Sequence, residues 1–436
     1  MLTGQPTLDP GPAALAAARE LAPQLSARAS EADQLRTMPL DLVADARAAG
    51  LFRLAMPRAL GGLELPPDEI VRIGEELCRA DGSAGWTIMI GNGSAFLAWL
   101  DPAAATELLA GQADVVCACV FAPTGRLTQD PAGSNGAGSD GAGSDGAGSD
   151  PAGSDGAGSN GAGSNGAGSN GGEAGGFRLA GSWGLGSGSL HADWFITGGV
   201  VSDGDGPRLL PGRGPDWRLA VFPAAAGSVV DNWDATGLRG TGSHDIVADA
   251  VPVLERHTMA PFFSPARHDG PLWRFPFFTL VGTFFVGFPL GVGRRALDEL
   301  ARFAPTKFRP PGPGSIAEDG DLQVALARAE GGLQAARALV FDALGEMWRS
   351  ACAGDVPDDG QRARFLLAAQ QAMYAATEAV DVAYRYTGAA ALRADHPVQR
   401  CFRDLHAGAQ HIYFSPAAVK RYAKTRLGIE QPTFWF

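Results

Sequence analysis

The stretch 398–415, VQRCFRDLHAGAQHIYFS, decides how the chain is read. Its apolar residues Val398, Phe402, Leu405 and Ile412 recur mostly at helical spacing, and Arg400, Arg403, Asp404, His406 and His411 crowd into the same stretch. A helix with so many ionisable groups inside an apolar frame is expected to face a polar cavity. Working outward, apolar periodicity predicts long helices over 277–303, 317–352, 358–386 and 397–426, with a Pro/Gly connection at 310–314. Such a set reads as an up-down bundle over 255–436.

The first part, 1–113, also reads as helical. Asp68 and Glu69 sit where the dipole of a helix over 67–79 favours carboxylates, and Asp81 is placed to cap the next helix. That helix carries Trp86, Ile88, Met89, Ile90, Phe96 and Trp99, too apolar for a surface position. Between the helical parts, short β-type runs at 115–117, 177–183, 194–201, 217–222 and 244–253 are bounded by Gly, Pro and Asp. They predict a small antiparallel barrel or sandwich over 114–254. The chain thus reads as α+β, in the order α, β, α.

The β-part is interrupted at 131–170 by a pentapeptide repeat, (G/P)-A-G-S-(D/N), with no large apolar side chain. Such a tract has nothing with which to build a core, so a disordered insert between two strands is expected at about 128–176.

Composition narrows the function. The chain has 436 residues, 45% of them apolar, and a formal net charge of −12. That charge, with no basic stripe to offset it, opposes binding to nucleic acid or to an anionic membrane surface. The five cysteines are few and odd in number, and Cys117 and Cys119 have no second cluster to complete a metal site. Reduced, buried thiols in a cytoplasmic protein are expected. No basic start followed by an apolar block opens the chain. The uncharged run 275–292 is long enough to cross a membrane, but Pro276 and Pro289 shorten its usable helix, and Gly282, Gly287 and Gly291 suit close packing. It is expected to be the central helix of the bundle, with a membrane span the lesser alternative.

Five segments, in order, resemble the acyl-CoA dehydrogenase superfamily of flavoproteins: AGLFRLAMPRALGG (49–62), ADGSAGW (80–86), FRLAGSWGLGSGSLHADW (177–194), WDATGLRGTGS (233–243) and VQRCFRDLHAGAQH (398–411). The resemblance spans nearly the whole chain. It implies an N-terminal helical domain, a middle β-domain and a C-terminal four-helix bundle, commonly as a homotetramer, with flavin between the β-domain and the bundle.

The catalytic group separates the branches of this superfamily. Many dehydrogenases place a Glu nine residues after the Arg of the Arg-Asp pair, and counting from Arg403 reaches Ile412. A second subgroup places it about eight residues before the Pro of the central helix, and counting back from Pro289 reaches Val281. Removing a weakly acidic C–H proton needs a positioned base, so both absences weigh against dehydrogenation. The chain looks more like the two-component flavin monooxygenases, which take reduced FMN or FAD from a separate flavin reductase and use O2 to hydroxylate or oxidise a small organic substrate.

That resemblance implies His411 as the catalytic residue, Ser187 as a hydrogen-bond partner of the flavin, and Trp183 as the aromatic packed against it. Two departures stand out. A His found in several of these enzymes after the ADGSAGW-type helix is Ser94 here, and 305–314 (PTKFRPPGPG) replaces the dehydrogenases' FAD-binding segment, which favours FMN or loosely held reduced FAD.

Alternatives stand beside this reading: an acyl-CoA dehydrogenase using FAD to desaturate an acyl thioester, or an inactive scaffold of the same fold. Residue by residue, His411 could be a satisfied core histidine and Ser187 a turn residue, while His191 and His244 could line the site but read more readily as solvated strand-end side chains. Arg403 and Asp404 read as helix-packing pairs, and His406 as structural or at a subunit contact. Deleting residues 131–170 is expected to leave the thermal midpoint and the activity nearly unchanged; a collapse in either shows that the repeat is structural.

Overall fold

The computed structural model describes residues 10–130, 175–204, 206–308 and 314–429. The helical start comprises α1 (Pro10–Ala27), α2 (Ala29–Leu35), α3 (Leu40–Ala48), α4 (Pro67–Ala80), α5 (Gly82–Ile90) and α6 (Pro102–Leu109). Pro67 opens α4 where a missing N–H costs nothing, and Asp68 and Glu69 occupy its first turn. Asp81 then leaves helical geometry, and its carboxylate accepts from Ala84 N at 2.8 Å to start α5. Every residue of α5 except the last is buried, as its apolar composition requires.

The middle part holds β1 (Cys117–Asp130), β2 (Gly176–Gly186), β3 (Trp194–Asp203), β4 (Trp217–Pro223), β5 (Ser228–Val230), β6 (His244–Leu254) and β7 (Thr258–Met259). Their order in the sheet is β7-β4-β3-β1-β2-β6-β5. β1 and β3 run parallel while the other pairs along this path are antiparallel, so the sheet is mixed rather than wholly antiparallel as expected. Phe177, Leu179, Trp183, Phe195, Phe222 and Ile246 from four strands share one buried core. Asp130 pairs with Gly176 across β1 and β2, so the chain leaves and re-enters between adjacent strands. Residues 128–130 and 176 are therefore strand, and the rest of the expected insert, except Gly175, lies outside the described residues.

The final part contains α7 (Phe277–Phe285), α8 (Gly287–Phe303), α9 (Gly320–Ala353), α10 (Asp359–Thr387), α11 (Pro397–Gly408) and α12 (Pro416–Arg426). Two of the four expected helices are split. The first breaks at Val286, where Pro289 has no N–H to return to the carbonyl of Phe285. The second breaks after Gly408, and a single turn, Ile412–Phe414, precedes Pro416. The apolar span Phe277–Thr306 has 89% of its most hydrophobic window buried inside the protein, which makes it a core helix pair. A Cβ on Gly291 would lie 2.4 Å from Glu75 O, and one on Gly287 would lie 2.7 Å from Glu75 N, so these glycines let α8 touch the backbone of α4.

One cluster fastens the parts together. Asp404 on α11, only 1% exposed, accepts from Leu238 N at 2.7 Å. Its neighbour Arg403 donates to Thr236 O at 2.8 Å and to Asp33 Oδ2 at 2.6 Å. Segment 236–238, preceding β6, is thereby held on the bundle and on α2. Burial first, then the nearby carboxylates of Asp81 and Asp33, push the Asp404 carboxyl well above the usual carboxylate range.

Asp404→Ala leaves the Leu238 N–H unpaired and is expected to lower stability by about 1–3 kcal/mol in urea unfolding. Asp404→Asn keeps an acceptor and should cost less. A carboxyl raised on folding stabilises at low pH and loses that contribution as pH rises through its folded value. The wild type should therefore lose ground to Asp404→Asn as pH increases from about 4; a constant difference contradicts the protonated reading.

Candidate functional site

Trp86, in the middle of α5, is the residue on which all three parts converge. Its indole N–H donates to Ser187 Oγ at 3.2 Å. Ser187 follows β2 in a turn whose neighbours Leu185 and Gly188 take left-handed backbone (φ 65° and 72°). Gly188 N donates to Thr241 O at 2.8 Å, which joins that turn to the segment held by Asp404. From the same segment, Ser243 Oγ lies 2.8 Å from Ser187 Oγ and 2.6 Å from Thr241 Oγ1. Trp86 therefore heads a chain of three hydroxyls.

Its ring also meets the bundle. The Trp86 and His411 ring centroids are 5.6 Å apart at 77°, an edge-to-face contact, and Phe288 makes a second one at 5.0 Å. Phe285, the last residue of α7, lies 4.2 Å from the His411 ring, tilted by 31°.

His411 is not on the helix that its spacing suggests. It sits beyond α11 and caps the turn Ile412–Phe414, its Nδ1 accepting from Tyr413 N at 3.3 Å. Burial pushes its pKa down to about 4, and no charged group contributes to the shift. The imidazole is neutral near pH 7. With Nδ1 accepting, the hydrogen-bond pattern assigns the ring proton to Nε2, so that edge is a donor.

On the β-side, Leu185 and Leu190 flank Ser187 and are 69% and 49% exposed. An apolar floor beside a hydroxyl cluster and an indole N–H suits one face of a flat heteroaromatic ring with polar edges, which is what an isoalloxazine presents. These residues fit a flavin.

Of the three residues expected at the site, His411 and Ser187 are brought together through Trp86, and Trp183 is not. Trp183 is 1% exposed, and its indole N–H donates to Gly198 O at 2.7 Å inside the sheet core. It follows the inward phase of Phe177 and Leu179, so it has no face to offer a ligand. The pairing of β2 with β6 shifts register between Trp183 and Gly186, and Leu185 is the large side chain left facing out.

Trp86 and Ser243 were not expected at the site from sequence, although Trp86 ends ADGSAGW and Ser243 ends WDATGLRGTGS, whereas Phe285 was read with Phe277, Phe278, Phe284 and Phe288 as core first and substrate pocket second. His406 pairs with Asp381 at 3.0 Å, away from His411. His191 and His244 are buried rather than solvated: His191 lies 2.9 Å from Thr37 Oγ1, and His244 Nδ1 accepts from Trp233 N at 3.1 Å. Buried Ser94 donates to Phe52 O at 3.3 Å. Of the cysteines, Cys352 is exposed, against expectation. Residues 309–313 of the segment thought to bear on FMN against FAD lie outside the described residues.

Comparison with known proteins bears on the family and the fold. The N-terminal domain model of acyl-CoA dehydrogenases matches residues 13–107, and the C-terminal domain model matches residues 283–416. An indole-3-acetate monooxygenase from Pseudomonas putida is 29% identical over 89% of this chain and 86% of its own length. The oxygenase subunit of a flavin-dependent monooxygenase, HsaA, from Rhodococcus jostii is 26% identical over 91% of this chain and 93% of its own. Among solved structures, a 3-HSA hydroxylase from Rhodococcus sp. RHA1 superposes with a TM-score of 0.80 at 23% identity, covering 97% of this chain and 99% of the other. With helical, sheet and bundle parts in the same order, the chain belongs to the acyl-CoA dehydrogenase family, as a flavin-dependent oxidoreductase.

Proposed function

We propose that the protein is the oxygenase component of a two-component flavin monooxygenase. It takes reduced FMN or FAD from a separate flavin reductase and oxidises a small organic substrate with O2. The observation that carries this reading is a buried imidazole with no charged neighbour, His411, one residue before the position at which many dehydrogenases of this family carry their Glu. The two positions at which such a base was sought are apolar: Val281 is buried, and Ile412 is 63% exposed. Relatives over most of the chain are monooxygenases, which supports the same choice. The same reading includes a homotetramer working in the cytoplasm.

Reduced flavin supplies the two electrons and, with O2, the oxidising equivalent. The chain's own residues hold and polarise. Ser187, fixed by Trp86 and Ser243, offers its hydroxyl to the polar edge of the ring, and Leu185 and Leu190 cover an apolar face. His411 presents Nε2–H as a hydrogen-bond donor to the reacting oxygen or the substrate, a role that a low pKa suits better than proton abstraction. Trp86, Phe285 and Phe288 exclude water from this edge.

Three outcomes are expected. His411→Ala should bind reduced flavin normally in anaerobic titration yet oxidise substrate roughly 10²–10³-fold more slowly. His411→Gln, which keeps an N–H, should recover part of the rate, and unchanged turnover in the alanine variant removes His411 from the mechanism. The pH–rate profile should lack a limb near about 6.5, the ordinary histidine value, whereas a limb there that vanishes in His411→Gln would make His411 a base. Because the unfolded chain takes up the proton first, folding stability should fall as pH drops from about 6.5 toward the buried ring's pKa, and His411→Phe should lessen that slope.

A further inference from the structure

The hydroxyls behind Trp86 form a row that can be protonated in only one direction. Ser187 Oγ lies 2.8 Å from Ser243 Oγ, Ser243 Oγ lies 2.6 Å from Thr241 Oγ1, and Thr241 Oγ1 lies 2.8 Å from Leu238 O. At such distances each pair of oxygens needs a proton between them. Three contacts are therefore filled by three hydroxyl protons, one each from Ser187, Ser243 and Thr241. A carbonyl brings none, so Thr241 donates to Leu238 O. Ser243 must then donate to Thr241, and Ser187 to Ser243. Every proton points away from Ser187 and toward Leu238.

The inner end of the row is fixed. Leu238 O also receives Trp233 Nε1 and Thr241 N, each at 3.1 Å, while Leu238 N donates to Asp404 at 2.7 Å. Thr241 and Ser243 are 1% and 5% exposed, so water does not compete for their protons. At the outer end, Trp86 Nε1 donates to Ser187 Oγ at 3.2 Å. Half-buried Ser187 has thus committed its one proton and one of its two lone pairs. It meets a ligand as an acceptor only.

An isoalloxazine changes its hydrogen bonding at N5 with oxidation state. The reduced ring carries a hydrogen there and donates, whereas the oxidised ring has a bare nitrogen that accepts. Ser187 and His411 contact the same indole, so a ring that brings the reactive carbon beside N5 to His411 turns N5 toward Ser187. We propose that Thr241 and Ser243 are positioning residues that make this site selective for reduced flavin, by holding the Ser187 proton away from the ring. The N5–H of the reduced ring then finds an acceptor, and the bare N5 of the oxidised ring meets a lone pair. Selectivity arises as much from that mismatch as from the match. The inference rests on the oxygenase reading and assigns the choice of redox state to two buried hydroxyls behind the one that meets the ligand.

Calorimetric titration of the full chain with FMN and with FAD, each oxidised and each reduced by dithionite without oxygen, tests this. The wild type should bind the reduced form at least about tenfold more tightly than the oxidised form. Thr241→Val keeps the shape but removes the acceptor that orients Ser243, which can then donate to Ser187 and free the Ser187 proton for N5. Ser243→Ala frees that proton directly. Both variants should bind oxidised flavin at least about threefold more tightly than the wild type does, with no gain for reduced flavin. Thr241→Ser, which restores the hydroxyl, should keep the wild-type ratio. No preference in the wild type, an unchanged ratio in both variants, or an equal loss for both redox states overturns the proposal and leaves the oxygenase reading standing. Failure of the wild type to bind either flavin in either state contradicts that reading and the proposal with it.

Discussion

The structure depends on one indole held between three parts of the chain. Trp86 donates to the turn after β2, meets His411 edge to face, and packs on Phe285 and Phe288 from the bundle. Its position follows from how closely the first turn of α5 is seated. A Cβ on Gly82 would lie 3.1 Å from Asp404 Oδ2, and one on Gly240 would lie 3.0 Å from Ser83 Cβ, so α5 is wedged between α11 and the segment that Asp404 grips. Moving any of the three pieces displaces the indole, and with it the spacing of Ser187 and His411.

Electrostatics divides this junction into two unlike halves. On one side Asp33, Asp81 and Asp404 are gathered with Arg400 and Arg403, and burial among like charges raises the carboxyls of Asp81 and Asp404. On the other side His411 stands among aromatic rings, and burial alone lowers its pKa. Desolvation disfavours the charged form in both places, which is why the acids shift up and the base shifts down. The charged half fastens the domains, and the uncharged half leaves a low-dielectric edge in which a single N–H donor has a strong effect.

The three-part order and most helix positions were legible because long apolar periodicities and caps such as Asp81 are local signals. The parallel pairing of β1 with β3 was not, since period-two runs do not reveal strand direction. Pro289 and Pro416 were visible, yet apolar spacing carried across them and hid two helix breaks, one of which frees His411 from α11. Trp183 was open to a better reading: Phe177, Leu179 and Trp183 share one strand phase, so an inward Trp was implied. Ser187 and His411 were put forward through their motifs, and the structure brings both to Trp86.

Crystals of the protein soaked anaerobically with reduced FMN give the most direct test. The isoalloxazine should lie on Leu185 and Leu190, with its polar edge at Ser187 and the Nε2 edge of His411 facing its reactive side. A ring bound elsewhere, or a carboxylate reaching that side in place of the imidazole, would contradict the oxygenase reading.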